Sequence, residues 1–288
     1  MEKFEPGRIL CPTDFSATAD LALQYARMIA DKFQAQLIVL YAEPFEPPPY
    51  FTSDQEGDLV KSQARSRKAA VDYLVRHVKA QLGETFNGET VFMEDHPVAA
   101  ILKTAESRTA DWVVMGTQGR SGWSRARLGS VAERVLRETE KPVLTVRGKE
   151  GEAKNHPASI RNILCPVNFT DIARKAMGYA TTLAERFSAE LRVLTVIESP
   201  GEVSEEEEKE KLCAWIPGSL HSRCRMQEAV RRGNAAEQIL ETAASDGCDL
   251  IVLGARHKRF WDSTVLGTTT VNVTRHAPCP VFTVIRRS

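Results

Sequence analysis

The chain has 288 residues, of which 42% are hydrophobic, 26% are charged and 7% are aromatic. This length predicts about two domains, and the composition is that of ordinary globular proteins, which excludes collagen-like, fibrous and disordered classes. Lys and Arg together number 38, as do Asp and Glu. The chain therefore has no net positive charge to attract nucleic acid or an anionic membrane, and any anion site must be local.

Targeting and cysteine patterns predict a cytoplasmic protein. The amino-terminal segment MEKFEPGRIL has no apolar stretch after a basic start, so it is not typical of a signal peptide. No run approaches the roughly 18 apolar residues that a membrane-spanning helix needs. The 6 cysteines are scattered and include no C-x-x-C pair, so we expect buried thiols rather than a disulfide scaffold.

The sequence contains two copies of one unit. The segment RILCPTDFSATADLALQYARMIADKF from Arg8 aligns without a gap to NILCPVNFTDIARKAMGYATTLAERF from Asn162. The segment from His96 aligns with the segment from Asn234 at a smaller offset, which implies a deletion in the second copy between its second and third strands. Two similar domains in tandem are therefore expected.

Apolar spacing, capping residues and helix-breaking residues predict the same order of elements in both copies. In the first copy these are a strand at 9–12 that ends in Cys-Pro, a helix capped by Ser16, a strand at 37–41, a helix over about 59–82, a strand at 90–93, a helix after His96, a strand at 111–115, a loop, a helix from Gly129 and a strand at 142–147. In the second copy they are a strand at 163–166, a helix capped by Thr170, a strand at 191–196, a helix that begins in the acidic run after Ser204 and is cut short by Pro217 and Gly218, a strand at about 225–230, a helix that ends near Asp246, a strand at 249–253, a helix from Gly267 and a strand at 280–286.

Strands that alternate with helices predict an α/β fold in which each copy is a doubly wound sheet of five parallel strands. The apolar runs Asp111–Met115 and Asp249–Leu253 are each followed by a glycine, as expected of a central strand that ends there. The polar segment from Gly148 to Ala158 predicts a linker. The expected boundaries are a first domain at 1–148, a linker at 149–159 and a second domain at 160–288.

A glycine-rich loop follows the fourth strand of the first copy, at the edge where open α/β sheets bind ligands. It reads MGTQGRSGWSRARLGS and ends where a helix begins. Glycines let backbone amides approach a phosphate, and the helix start adds unpaired N–H groups and a positive dipole end. Three arginines add positive charge to the loop: Arg120, Arg125 and Arg127. The loop therefore favours a phosphate site, although glycines that only turn the chain are the alternative; it is neither a Walker A nor a G-x-G-x-x-G loop.

With this loop and the segment CPTDFS, the chain resembles the universal stress proteins, as a tandem member with two such domains. That family's fold is adenine nucleotide alpha hydrolase-like and Rossmann-like, and its ATP-binding branch carries the signature G-x2-G-x9-G-[S/T]. The first copy matches the signature at four residues: Gly116, Gly119, Gly129 and Ser130. The resemblance covers nearly all of the chain apart from the linker and the segments 43–60 and 198–223.

The resemblance also implies which other residues bind the nucleotide. It implies that Asp14 contacts the nucleoside, that Val131 contributes a backbone amide, and that adenine lies near the end of the second strand, at Val39, Leu40 or Tyr41. An acidic side chain at the carboxyl end of a strand suits a ribose hydroxyl or an adenine amino group. The alternative is that Asp14 only caps a helix or closes a turn. The implied ligand is ATP, with magnesium bridging the phosphates.

The second copy departs from the first at two of these positions, one in the glycine signature and one at the aspartate. His257 stands where the middle glycine should be, and Asn168 replaces the aspartate. Three residues keep their places: Gly254, Gly267 and Thr268. A Cβ at the middle position restricts the backbone or narrows the approach of a phosphate, and asparagine keeps the hydrogen-bonding shape without the charge. We therefore expect one nucleotide per chain, although the basic run 256–259 leaves anion binding by the second copy open.

Enzyme chemistry and metal binding are the alternatives to a nucleotide-binding role. The chain has no G-x-S-x-G or H-E-x-x-H motif, and His96, a candidate base, aligns with Asn234, which favours helix capping. Cys213, His221 and Cys224 form the one cluster of metal-like ligands, and three ligands are too few for a closed zinc site. No catalytic residue or metal ligand is therefore assigned. An ATP-consuming reaction, slow ATP hydrolysis and a nucleotide-independent interaction module remain open.

The expected function is that of an ATP-binding regulatory protein of the stress response, in which the nucleotide binds one conformation better and orders the glycine loop. The resemblance implies that the domains pair within one chain through their final strands, which would cover an exposed sheet edge. The residues expected to face each other are Val143, Leu144 and Val146 on one strand and Val281, Phe282 and Val284 on the other. A homodimer is a further expectation.

Overall fold

The structure, a computed structural model, describes residues 4–44, 53–118, 128–148, 158–198, 201, 203–260 and 263–287. The first half contains β1 (Arg8–Thr13), α1 (Ala17–Phe33), β2 (Gln36–Ala42), α2 (Ser53–Leu82), β3 (Glu89–Met93), α3 (Pro97–Ser107), β4 (Trp112–Gly116), α4 (Ser130–Glu138) and β5 (Val143–Val146). The second half contains β6 (Asn162–Pro166), α5 (Asp171–Phe187), β7 (Glu190–Ile197), α6 (Glu205–Trp215), α7 (Gly218–His221), β8 (Met226–Arg232), α8 (Ala235–Ser245), β9 (Leu250–Phe260), β10 (Ser263–Leu266), α9 (Thr268–His276) and β11 (Val281–Arg287).

The strands form one continuous sheet in the order β3-β2-β1-β4-β5-β11-β9-β6-β7-β8, and β10 pairs with β9 beside this path. Within each half, five strands are parallel, in the orders β3-β2-β1-β4-β5 and β8-β7-β6-β9-β11. The predicted α/β fold class is therefore confirmed. The two sets of strands meet where β5 and β11 pair antiparallel, with Leu144 opposite Phe282.

Equivalent turns lead from the first strand to the first helix of each half. The side-chain oxygens of Ser16 and Thr170 accept hydrogen bonds from the backbone N–H groups three residues later, at 3.2 and 3.4 Å, which confirms both predicted N-caps. The residue before each cap, Phe15 or Phe169, has a φ of 62° or 59°. This left-handed conformation is unusual for an aromatic residue, so both copies keep the same chain reversal at some conformational cost.

An aromatic cluster makes the core continuous between the two halves. The ring centroid of Trp112, in β4, lies 4.7 Å from that of Phe282 in β11 and 5.9 Å from that of Tyr179 in α5. Phe4 extends the cluster by packing edge-on against Tyr179 at 5.0 Å. Burying these large rings removes apolar area from water on one face of the sheet, which stabilises the junction of β5 and β11.

The main departure from the predicted elements is β9, which was expected to end before Gly254. It continues to Phe260 and turns back as β10, with His257 opposite Leu266. On its other side, β9 pairs with β11 as far as His257, which lies opposite Arg287. The expected end of the strand was wrong because β11 pairs with β9 as far as His257 and β10 pairs with it from His257 to Phe260. Backbone pairing therefore sustains the extended conformation along the added residues.

Several predicted features agree with the described elements. Helix α6 begins with a capping box of Ser204 and Glu207 and ends before Pro217, as the acidic run and the proline indicated. Four cysteines are buried free thiols: Cys11, Cys165, Cys248 and Cys279. Cys213 is exposed and Cys224 is half-buried, so the expectation of buried thiols holds for most cysteines. Within the described residues, none of the helices has the length and apolar character needed to cross a bilayer.

Candidate functional site

A cavity of about 350 Å³ opens at the carboxyl ends of β1, β2 and β4, beside the start of α4. Open α/β sheets bind ligands at this edge. Six of the residues singled out from the sequence line the cavity: Asp14, Leu40, Gly116, Gly129, Ser130 and Val131. They come from four separate segments of the chain, so the fold brings together residues that are far apart in the sequence.

The turn after β1 presents Asp14 to the cavity. One carboxylate oxygen of Asp14 accepts a hydrogen bond from the Ser16 backbone N–H at 3.1 Å, and the Thr13 hydroxyl oxygen accepts one from the Phe15 N–H at 3.0 Å. Asp14 therefore does close a turn, which was the alternative to its role as a binding residue. The turn also fixes its carboxylate at the wall of the cavity, so the two roles are compatible.

The first and third glycines of the signature allow close backbone packing. A Cβ on Gly116 would lie 3.1 Å from Thr18 in α1, and a Cβ on Gly129 would lie 2.9 Å from the backbone oxygen of Thr117. That same oxygen accepts a hydrogen bond from the Gly129 N–H at 2.7 Å. Neither glycine has a positive φ. Their small size, rather than an unusual backbone conformation, lets the end of β4 pack against α1 at Gly116 and against the start of α4 at Gly129.

The amino end of α4 forms the polar side of the cavity. Gly129 is its N-cap and supplies no side-chain hydrogen bond, and Ser130 and Val131 occupy its first turn. The first N–H groups of a helix have no partner within the helix, and they carry the positive end of its dipole. This end of α4 is therefore suited to an anionic group.

Leu40 and Ala42 are the β2 residues that line the cavity. Side chains alternate between the two faces of a strand, and Val39 accordingly belongs to the core on the other face. Tyr41 packs against Phe15, with ring centroids 4.6 Å apart, on that same other face. Of the three residues proposed to lie near adenine, Leu40 is thus the one whose side chain reaches the cavity.

The middle part of the glycine loop lies outside the described residues. This part includes Gly119, Arg120, Arg125 and Arg127, so their predicted roles in phosphate binding remain predictions. Thr117 and Gln118, which precede this part, both line the cavity.

The second half keeps the equivalent residues at the start of its last helix and differs at the end of its fourth strand. The Asn168 side-chain oxygen accepts a hydrogen bond from the Thr170 hydroxyl at 2.7 Å. Gly254 lies inside β9, and a Cβ there would lie 2.8 Å from the Ile172 backbone oxygen. Gly267 is the N-cap of α9, and Thr268 is its first residue. His257, at the position of the middle glycine, is part of the β9–β10 pair, so the backbone at this position forms a strand.

Comparison with known proteins identifies the family. The Universal stress protein family model matches residues 6–147 and 224–284, which together make up more than half of the chain. The chain belongs to the universal stress protein family. Universal stress protein MJ0531 of Methanocaldococcus jannaschii is 30% identical over 145 residues, which are 50% of this chain and 84% of that protein. A universal stress protein of Mycolicibacterium smegmatis is 25% identical over 291 residues, covering 96% of each chain.

The fold of this universal stress protein is similar to that of a solved structure over nearly all of its length. The crystal structure of a universal stress protein from Archaeoglobus fulgidus aligns with a TM-score of 0.70 at 21% identity, over 97% of this chain and 98% of that chain. This likeness supports the tandem α/β fold. The family membership therefore agrees with the resemblance carried by the glycine loop and CPTDFS, and the fold agrees with the α/β class predicted from the repeated elements.

Three apolar side chains of this universal stress protein line the cavity although no role in binding was predicted for them from the sequence. Ile101 and Pro97 of α3 line the cavity together with Met115 of β4. Met115 ends the apolar run from which this strand is predicted, and it is 4% exposed. The periodic apolar residues of α3 could have indicated Ile101 as a lining residue, because the apolar face of this helix packs toward the sheet next to the cavity.

The residues considered for other chemistry are not assembled into a site in the described structure. His96 is the N-cap residue of α3 but makes no side-chain capping bond, whereas Asn234 caps α8. His221 Nδ1 lies 3.6 Å from Glu228 Oε1. Within the described residues, no group of three His, Cys, Asp or Glu side chains is placed to hold a metal ion. Cys11, in β1, belongs to the core on the face of the sheet away from the cavity, and its burial raises the pKa of its thiol, which disfavours a thiolate nucleophile.

Proposed function

We propose that this universal stress protein binds an adenine nucleotide, ATP, in the cavity of its first half and acts as a nucleotide-dependent regulatory protein of the stress response. One observation carries the proposal: a single cavity is lined by the residues of both sequence signals, Asp14 after β1 and Gly116, Gly129 and Ser130 of the glycine signature. Family membership supports the link to stress.

The dimensions and chemistry of the cavity fit a nucleotide. Its volume of about 350 Å³ falls at the lower end of the range of roughly 300–1,000 Å³ that is usual for small-molecule sites. One side is apolar, with Leu40 and Ile101, and suits the base. The other side contains the amino end of α4, which suits phosphates.

Each part of the cavity then has a role in binding. Asp14 would hydrogen-bond the nucleoside, while the backbone amides at Ser130 and Val131 would hold the phosphates together with Gly119, Arg120 and Arg127 of the signature loop. Asp14 is also the only acidic residue among the described lining residues. A magnesium ion, if bound with the nucleotide, would be held mainly by phosphate oxygens and water.

The second half is proposed to have a structural role and to bind no nucleotide. Asn168 has no charge where the first half has Asp14. The backbone at His257, the position of the middle glycine, is paired in a strand and does not form a loop around a phosphate. We also propose that the β5–β11 pair is the contact between domains 1–148 and 160–288 in solution, in the cytoplasm, and that a second copy of the chain can add a homodimer contact.

The direct test is to denature the purified full chain and to identify the released small molecules by mass spectrometry. Adenine nucleotide is expected among the released molecules in near-stoichiometric amount, either directly after purification or after the protein has been incubated with ATP and desalted. Thermal denaturation with ATP should show a higher Tm, because a ligand that binds the folded state stabilises it. Gly119→Ala should reduce this shift, whereas Gly201→Ala, at a glycine away from the cavity, should not. No released nucleotide and no shift with ATP would contradict the proposal.

A further inference from the structure

Thr117 occupies an unusual position at the end of β4. Its backbone N–H donates to the Val146 oxygen at 2.9 Å, and its own oxygen accepts from the Gly129 N–H at 2.7 Å. The residue thus links β4, β5 and the start of α4 through its backbone alone. It lines the cavity, yet it is only 4% exposed.

The hydroxyl group of Thr117 lacks a partner. Its Oγ1 is buried and makes no hydrogen bond within the described part of the chain. Proteins pair nearly all of their buried polar atoms, because an unpaired one costs free energy. A hydroxyl that is left unpaired in the wall of a ligand-sized cavity points to a partner that is not part of the chain.

The second half provides a natural comparison. Ala255 follows Gly254 as Thr117 follows Gly116, and it is 1% exposed within the apolar core. The half with the altered signature therefore has a methyl group where the half with the intact signature has an unpaired hydroxyl. Alanine fills this position in the core of the second half, so the packing of the core does not by itself require a hydroxyl group here.

We propose that the Thr117 hydroxyl donates a hydrogen bond to a phosphate oxygen of the bound nucleotide. This inference rests on the proposed function. A phosphate is the fitting partner because Thr117 contacts Gly129, the residue that begins α4 and the anion-binding end of the cavity. A rotation about χ1 can turn the Thr117 hydroxyl toward the cavity, and it breaks no hydrogen bond because the hydroxyl makes none within the described residues. The nucleotide therefore draws the hydroxyl toward the phosphate on binding.

The test uses two substitutions at Thr117 and one control elsewhere. Thr117→Val keeps the shape and removes the hydroxyl, while Thr117→Ser keeps the hydroxyl. Thr283→Val is the matched control, because Thr283 Oγ1 is also buried without a partner in the described chain, but Thr283 lies in β11 and is not a lining residue. Affinities for ATP, AMP and adenosine are measured by isothermal titration calorimetry on the full-length protein.

Thr117→Val is expected to weaken ATP and AMP binding about tenfold, because the variant loses one hydrogen bond to a charged acceptor. Its affinity for adenosine should be unchanged. Thr117→Ser should bind ATP nearly as the wild type does, and so should Thr283→Val. The Tm of ligand-free Thr117→Val should equal or exceed that of the wild type, because no hydrogen bond within the protein is lost.

Equal ATP affinity of Thr117→Val and the wild type would overturn the inference while leaving the proposed function intact. An equal loss of affinity for adenosine would overturn the assignment to phosphate. If the wild type itself fails to bind ATP, the proposed function fails, and this inference fails with it.

Discussion

Alanine at Gly129 and at Gly267 should have unequal effects, although both residues are the N-cap of the last helix of their half. Their φ angles of −62° and −59° suit alanine equally well. At Gly267, no described heavy atom lies within 4 Å of an added Cβ. A poorer N-cap costs about 0.5–1 kcal/mol, and the loss of unfolded-state entropy returns about 0.4–1 kcal/mol. Gly267→Ala should therefore unfold with nearly the wild-type free energy.

At Gly129 the added Cβ would lie 2.9 Å from the backbone oxygen of Thr117. The helix start must shift away by a few tenths of an ångström, which lengthens the 2.7 Å bond from the Gly129 N–H to that oxygen. Such overpacking costs about 1–3 kcal/mol, which lowers the Tm by roughly 2–9 °C. Differential scanning calorimetry without nucleotide measures the effect. Equal Tm values for Gly129→Ala and Gly267→Ala would refute the contact argument.

Three further outcomes are expected. Asp14→Ala should weaken ATP binding in calorimetric titrations, while Asn168→Ala at the equivalent position should leave it unchanged; equal effects would contradict the assignment of the site to the first half. Ser204→Ala removes the hydrogen bond from the Glu207 backbone N–H to the Ser204 hydroxyl oxygen in the α6 capping box and should lower the free energy of unfolding by about 1 kcal/mol in urea titrations. In labelling with a thiol reagent at pH 8, the exposed Cys213 should react in the native state, and Cys165 only on unfolding, because burial raises the pKa of Cys165 to about 12; early labelling of Cys165 would contradict this.

The sequence predicts the elements of the fold well where local signals determine them. Ser16, Thr170 and Ser204 begin helices because their side chains satisfy free backbone N–H groups, and such pairing depends on residues only a few positions apart. The repeat helps further, since each copy confirms the spacing of the other. The left-handed φ of Phe15 and Phe169 had no such signal, because aromatic residues rarely adopt it.

The extension of β9 past Gly254 could not be read from the same local signals. It depends on pairing with β11, which lies later in the chain, and on the β10 strand that turns back along it. The alternation of side chains along β2 could have indicated Leu40 rather than Val39 or Tyr41 as the residue facing the cavity. The unpaired hydroxyl of Thr117 could not have been predicted, because hydrogen-bond partners are known only once the fold is known.

Titration of the purified, nucleotide-free full chain with ATP by isothermal calorimetry tests the central claim most directly. We predict saturable binding with a stoichiometry of one ATP per chain, since Asp14 and the glycine signature line a cavity in the first half, and the backbone at His257 forms a strand in the second. Absence of saturable binding would contradict the claim that this cavity is a nucleotide site.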